Sequence, residues 1–207
     1  MKTEKSFLNR FIFVLIGHIL IGLGVGLFMH SGLGADPNSV LISGVGKQIN
    51  ANYGVSSMIL NALIIVIIFF VDKRYINVAS LLGIFSIGYT ADFVMMILRN
   101  IIPNPASSLA VQIPLLVFGG LFMGIGIVIY IDQKIGIAAF DAISEIVANK
   151  TNTQFGKVRV AMDTAALVIG FFIGGIVGPG TVYLALTTGP IVNTVRKILN
   201  VEPPMAH

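Results

Sequence analysis

The 207-residue chain has no cysteine and little charge: thirteen basic and nine acidic residues, 11% of the total. Without cysteine there is no disulfide framework and no thiolate metal site. A soluble domain carries about 25% charged residues. That deficit, together with 56% hydrophobic residues and a mean hydropathy of +0.93, excludes an ordinary soluble domain. Chemical constellations are missing as well. No His/Glu cluster has metal-ligand spacing, no Ser/His/Asp set can be placed, and there is no phosphate-binding loop. Nothing points to enzymatic chemistry, and no metal or cofactor is expected. The net charge of +4 does not indicate a nucleic-acid partner, because the lysines and arginines are scattered over short connections rather than gathered in a patch. The run Gly22-x-Gly24-x-Gly26 is not a nucleotide fingerprint, since no strand precedes it.

What the chain has instead is apolar runs of membrane length. A hydrocarbon core of about 30 Å needs about 20 apolar residues as helix. Six stretches qualify: about 11–30, 55–72, 77–98, 109–131, 157–176 and 180–198. The first follows Lys2, Lys5 and Arg10, as a signal peptide would. It is longer than a signal core of about 7–15 residues and lacks a clean small-residue cleavage site, so it reads as a retained span. With the N-terminus cytoplasmic, eleven of the thirteen basic residues fall on inner connections, and only Lys47 and Arg99 fall outside. That bias places both termini in the cytoplasm. Two shorter segments, about 36–49 and 138–150, can dip into the membrane, lie on it, or cross it steeply. Crossing would give eight passes with ten basic residues inside and three outside, so charge does not decide; length favours six. Asp36-Pro37 is a good helix start, a capping acid followed by proline at the first helical position.

The two halves match at an offset of 102 residues. Gly17, Gly22, Gly24, Gly34 and Gly54 fall on Gly119, Gly124, Gly126, Gly136 and Gly156; Asn50 falls on Asn152, Tyr53 on Phe155, Phe69-Phe70 on Phe171-Phe172, and Asn61 on Asp163. A one-residue shift pairs Gly88 with Gly189 and Asp92 with Asn193. Three crossings per half would make the halves antiparallel, and four would make them parallel. The expected fold is therefore all-α and polytopic, a single membrane domain over 1–207. Its six transmembrane helices form a 3+3 inverted repeat (repeat 1 about 11–100, repeat 2 about 109–199), with one short re-entrant or interfacial helix per half. Such folds place their site near the midplane, where the short segments meet. The glycines of Gly22-x-Gly24-x-Gly26 and Gly120-x-x-x-Gly124 read first as small faces for close helix packing.

Ionisable groups within spans cost roughly 2.5–3.5 kcal/mol on insertion scales and are usually functional. Asp92 and Asp163 are of this kind, and their repeat mates are the amides Asn193 and Asn61. Each has a plainer reading. Asp163 follows Arg159 by four residues and can simply neutralise it; Asp92 can sit near enough to the outer face to find water. Asp141, Ser144 and Glu145 share one helical face, which lines either a cavity or headgroup water. His18 reads first as a packed, hydrogen-bonded core group, with a proton relay as the alternative. Thr187-Thr188, ahead of Gly189-Pro190, can bond backbone freed by the proline. The candidate solute or ion pathway is Asp36, Asn38, Ser39, Asn61, Asp92, Asp141, Glu145, Arg159, Asp163, Thr188 and Asn193.

Gly32-Leu33-Gly34-Ala35-Asp36-Pro37, Asn52-Tyr53-Gly54, the stretch Gly174-Gly175-Ile176-Val177-Gly178-Pro179-Gly180-Thr181 and Gly189-Pro190-Ile191-Val192 together resemble the YczE/YyaS/YitT family of bacterial membrane proteins. Arg159 at the start of the fifth span also fits the family's pattern. The likeness runs through essentially the whole chain. Because the chain stops at His207, without the soluble C-terminal domain of YitT-type members, it resembles the shorter YczE branch. The second half departs from Gly-x-Asp-Pro, with Gly136-Ile137-Ala138-Ala139 in its place. The resemblance implies a multi-pass protein of the bacterial cytoplasmic membrane and supplies no substrate.

Three functions compete. The first is a secondary transporter, coupled to protons or another cation, for a small polar or charged solute. The second is a channel or passive facilitator. The third is a substrate-capturing subunit or membrane regulator without transport of its own. The expected partners are the lipid bilayer and a small polar or ionic solute, with a homodimer or a larger membrane complex left open.

Overall fold

The computed structural model describes residues 6–105 and 108–199. Lys2, Lys5 and His207, used above for topology and family branch, lie outside the described residues. Eight α-helices are present among those described: α1 (Phe7–Ser31), α2 (Pro37–Ile49), α3 (Tyr53–Asp72), α4 (Val78–Ile101), α5 (Leu109–Asp132), α6 (Ala139–Thr151), α7 (Phe155–Phe172) and α8 (Pro179–Ile198). One 3-10 turn, Lys73–Tyr75, follows α3.

Local chemistry sets these boundaries. Asp36 caps α2, its Oδ2 accepting from the Ser39 N–H at 3.3 Å, with Pro37 in the first turn. Asn52 caps α3 by accepting from Val55 N–H at 3.0 Å, and Asn77 caps α4 by accepting from Ser80 N–H at 2.9 Å. Both short helices end on an asparagine in the left-handed region, Asn50 and Asn152, each at φ 52°. Asparagine visits that region more readily than other residues with a side chain.

Three helix starts in the second half fall 102 residues after those in the first, Phe7 and Leu109, Pro37 and Ala139, Tyr53 and Phe155, and the fourth pair, Val78 and Pro179, is one residue short of that offset. Gly34 and Gly136 match in backbone too, at φ 122° and 124°. Exposed aromatics correspond as well, Phe70 at 81% exposure and Phe172 at 80%.

Helix α1 packs most extensively on α5, then on α4. Its glycines divide the work: a Cβ on Gly17 would meet Gly126 O at 2.8 Å, and one on Gly24 would come closer still to Gly119 O, both on α5. Gly22 and Gly26 face Thr90 and Val94 on α4. Gly120 and Gly124 of α5 face Leu184 and Ile191 of α8. Small residues thus let the backbones approach, as membrane helices require when no water drives them together. The short helices α2 and α6 each pack on both α3 and α7.

Four helices, α1, α3 with its 3-10 extension, α4 and α5, are long and apolar enough to cross a membrane. The other two expected spans fall short. In α7, Lys157, Arg159 and Asp163 crowd into 18 residues, and α8 interrupts its apolar residues with Gly189, Pro190 and four threonines. Part of that polarity lines a cavity: Arg159, Asp163 and Thr164 of α7 and Thr188 of α8.

The glycine-rich stretches are largely architectural. Gly180 N–H donates to Leu33 O at 2.8 Å, and Ala35 N–H donates to Thr181 Oγ1 at 3.2 Å. A side chain on Gly34, already at positive φ, would strike Thr181 and Gly178. The loop between α1 and α2 is therefore clamped on the start of α8, which fixes where Asp36 points. Further along, Gln48 Nε2 donates to Ile173 O at 2.8 Å and Ile176 N–H donates to Ser43 Oγ at 3.1 Å, tying α2 to the α7–α8 connection.

Candidate functional site

A cavity of about 530 Å³ is lined by residues of all eight helices. Its size suits a small molecule. The charged residues lining it are Asp36, Asp141, Arg159 and Asp163, with Asn38, Ser39, Asn61, Tyr53, Tyr130 and Thr188 adding polar groups.

Arg159 organises the charges. It sits on the first turns of α7 and forms an ion pair with Asp141 of α6. Its Nε donates to Asp163 Oδ2 at 3.1 Å, one helical turn on. Its guanidinium lies 5.2 Å from the centre of the Phe140 ring, within the range of cation–π attraction. Tyr130 of α5 donates its hydroxyl to Asp141 Oδ2 at 3.0 Å. The plain reading of Asp163 as partner of Arg159 is correct but incomplete, because the same guanidinium also serves Asp141.

Two carboxylate oxygens on this wall are enclosed and have no hydrogen-bond partner: Asp36 Oδ1 and Asp163 Oδ1. Asp36 spends its other oxygen on the α2 cap. Next to it, Ser39 Oγ and Tyr53 OH share a hydrogen bond of 2.8 Å. Asn61 Nδ2 donates to Ser57 O at 2.8 Å. Thr188 donates to Leu184 O at 2.6 Å and Thr187 to Tyr183 O at 2.8 Å, so both hydroxyls bond one turn back rather than to the Leu186 carbonyl facing Pro190.

Asp92 is not in this cavity. It accepts from Gly54 N–H at 2.8 Å, tying α4 to the N-terminus of α3, where a helix dipole favours an anion. It lines a second cavity of about 750 Å³ with Asn52, Arg99 and His30. The two acids grouped in the sequence therefore belong to separate places. Tyr53, only 7% exposed, lines both cavities and stands between them. Glu145 and Asn193 line neither cavity; Glu145 is half-buried on α6 and Asn193 is exposed on α8. His18 is a fully buried core group, its Nδ1 sharing a 3.1 Å hydrogen bond with Ser86 Oγ and its ring 5.2 Å from Tyr130.

The corresponding contacts of the two halves differ sharply. Gly54 and Gly88 are buried and touch, a Cβ on Gly88 meeting Gly54 Cα at 3.0 Å. Their mates Gly156 and Gly189 are exposed, with nothing within 4 Å of a Cβ on either. Helix α3 packs on α4, whereas α7 and α8 make at most marginal contact among the described residues.

Sequence reasoning missed Tyr53 and Tyr130 as site residues. Tyr53 carried a signal, as the residue between the α3 cap and Gly54; Tyr130 ends a long apolar run and carried none.

Comparison with known proteins agrees with the resemblance drawn from the motifs. The profile of a family of unknown function, DUF6198, matches residues 8–197. An uncharacterized protein of Haemophilus influenzae is 27% identical over 91% of this chain and 82% of its own length. The uncharacterized membrane protein YczE of Bacillus subtilis is 26% identical over 91% of this chain and 86% of its own. The uncharacterized protein YyaS of the same organism is 21% identical over 92% and 94%. No solved structure matches the chain.

Proposed function

Because this chain belongs to the DUF6198 family, whose function is unknown, its role has to be read from the site, and we propose that it is a secondary transporter of a small charged solute working by alternating access. The observation that carries the proposal is the unequal state of two related contacts. One is shut, at Gly54–Gly88 with the Asp92 clamp and Tyr53 across the path. The other is open, at Gly156–Gly189, where the 530 Å³ cavity reaches the surface.

In this reading the halves form a 3+3 inverted repeat in the cytoplasmic membrane, with both termini in the cytoplasm. The α3–α4 contact then faces outward and the α7–α8 opening faces the cytoplasm. The short helices α2 and α6, 13 residues each, are too short to cross and are re-entrant. Inverted repeats exchange conformations between halves, and a site held between them is exposed first to one side and then to the other. A ligand that binds both states need only shift their populations. Tyr53 between the two cavities favours this scheme over an open channel.

The test is solute flux into proteoliposomes. Asp163→Asn should reduce flux at least tenfold while leaving the purified protein folded. Full flux in both Asp163→Asn and Asp92→Asn would remove the proposed mechanism.

A further inference from the structure

The cavity's charges do not balance. Three carboxylates, Asp36, Asp141 and Asp163, face one guanidinium, Arg159. Arg159 is already engaged with Asp141 and Asp163, and Tyr130 supplies Asp141 with a further donor. What is left is two more carboxyl groups than guanidinium groups, and two enclosed, unpartnered oxygens, Asp36 Oδ1 and Asp163 Oδ1. Polar oxygens shut away from water are costly unless something donates to them, and these two lack a hydrogen-bond partner.

Much of the remaining lining is apolar or aromatic: Tyr53, Tyr130, Ile21, Val25, Ile87 and Leu184 are part of it, with neutral polar groups such as Asn38, Asn61 and Thr188. We infer that the cavity takes a small organic cation, with an ammonium or related nitrogen head donating to Asp36 and Asp163 and a short aliphatic body against the apolar wall. An ammonium group offers three donors and one positive charge, and aromatic faces attract it further. An anionic solute would meet the two unpartnered carboxyl oxygens, with the single arginine already occupied. This inference rests on the transport reading for its purpose but not for its test.

The experiment uses three probes of nearly equal shape and different charge: butylammonium, butanol and butyrate. Each is titrated calorimetrically into the purified full-length protein at constant sodium chloride. Butylammonium should bind and the other two should not. Asp163→Asn should weaken butylammonium at least tenfold. Asp36→Asn, which keeps a residue able to cap α2, should do the same, so loss of binding there is not loss of fold. Butyrate binding, no butylammonium binding, or binding unchanged in both variants would overturn the inference. Flux separates it from the transport reading. Butylammonium that binds but is not carried by proteoliposomes leaves the cation site standing and removes transport. Flux of butyrate in preference to butylammonium leaves transport standing and removes the cation site.

Discussion

At the scale of single residues, Asp36 and Arg159 do most to shape the site. Asp36 has two tasks on two oxygens, one capping α2 and one facing the cavity. Asp36→Ala should therefore lower stability by about 1 kcal/mol through loss of the cap, whereas Asp36→Asn should melt near the wild-type temperature; thermal unfolding in detergent separates them. Arg159→Met leaves Asp141 and Asp163 without their shared cation. Side chains in these pairs are a quarter to a third exposed, so the full penalty of a buried broken pair does not apply, and a loss of about 1–3 kcal/mol is expected. Adding Asp163→Asn should restore part of it, and the same unfolding measurement reads the rescue. Asp36 and Asp163 were legible in the sequence, one from its Asp-Pro cap and the other from its place four residues after Arg159. Tyr130 was not, because its partner Asp141 lies on another helix, and Tyr53, marked only by its place beside the α3 cap, gave no hint of Ser39 on α2. Asp92 and Asp163 look alike in sequence, as acids in apolar runs. Only the choice of neighbouring helix separates them, and local periodicity does not encode that choice.

At the scale of helices, the glycines split into those that are occupied and those that wait. Gly24 is pressed against α5, so Gly24→Leu should cost about 1–3 kcal/mol from overpacking. Gly156 has free space around it. Gly156→Val should leave unfolding nearly unchanged and yet lower flux severalfold, because the α7–α8 contact could no longer close; paired melting and flux assays test this. Apolar run length made α1, α3, α4 and α5 readable, and the Asp36-Pro37 start made α2 readable. The 102-residue offset also made α6 readable as the counterpart of α2. Helices α7 and α8 were read as spans carrying Arg159, Asp163, Thr188 and Asn193 on a solute pathway, yet by length and composition neither is apolar enough to cross. Arg159, Asp163 and Thr188 line the cavity, and Asn193 does not. Composition along a single helix does not reveal what lies across from it.

At the scale of the whole molecule, the chain is a helical membrane protein whose two halves start three of their four helices at one constant offset but pack their last two helices differently. A packed core tends to have discrete arrangements rather than a continuum, so the exchange proposed above would be a two-state matter and could be trapped. The absence of cysteine in the natural chain gives a clean background for doing so. The most direct measurement is oxidative cross-linking of two engineered pairs in proteoliposomes, G54C with G88C and G156C with G189C, with flux followed in the same samples. The account predicts that both pairs cross-link, each trapping one of two exchanging states, and that either cross-link stops flux until it is reduced. If G54C/G88C cross-links while G156C/G189C never does, or if flux continues through fully cross-linked protein, alternating access is contradicted.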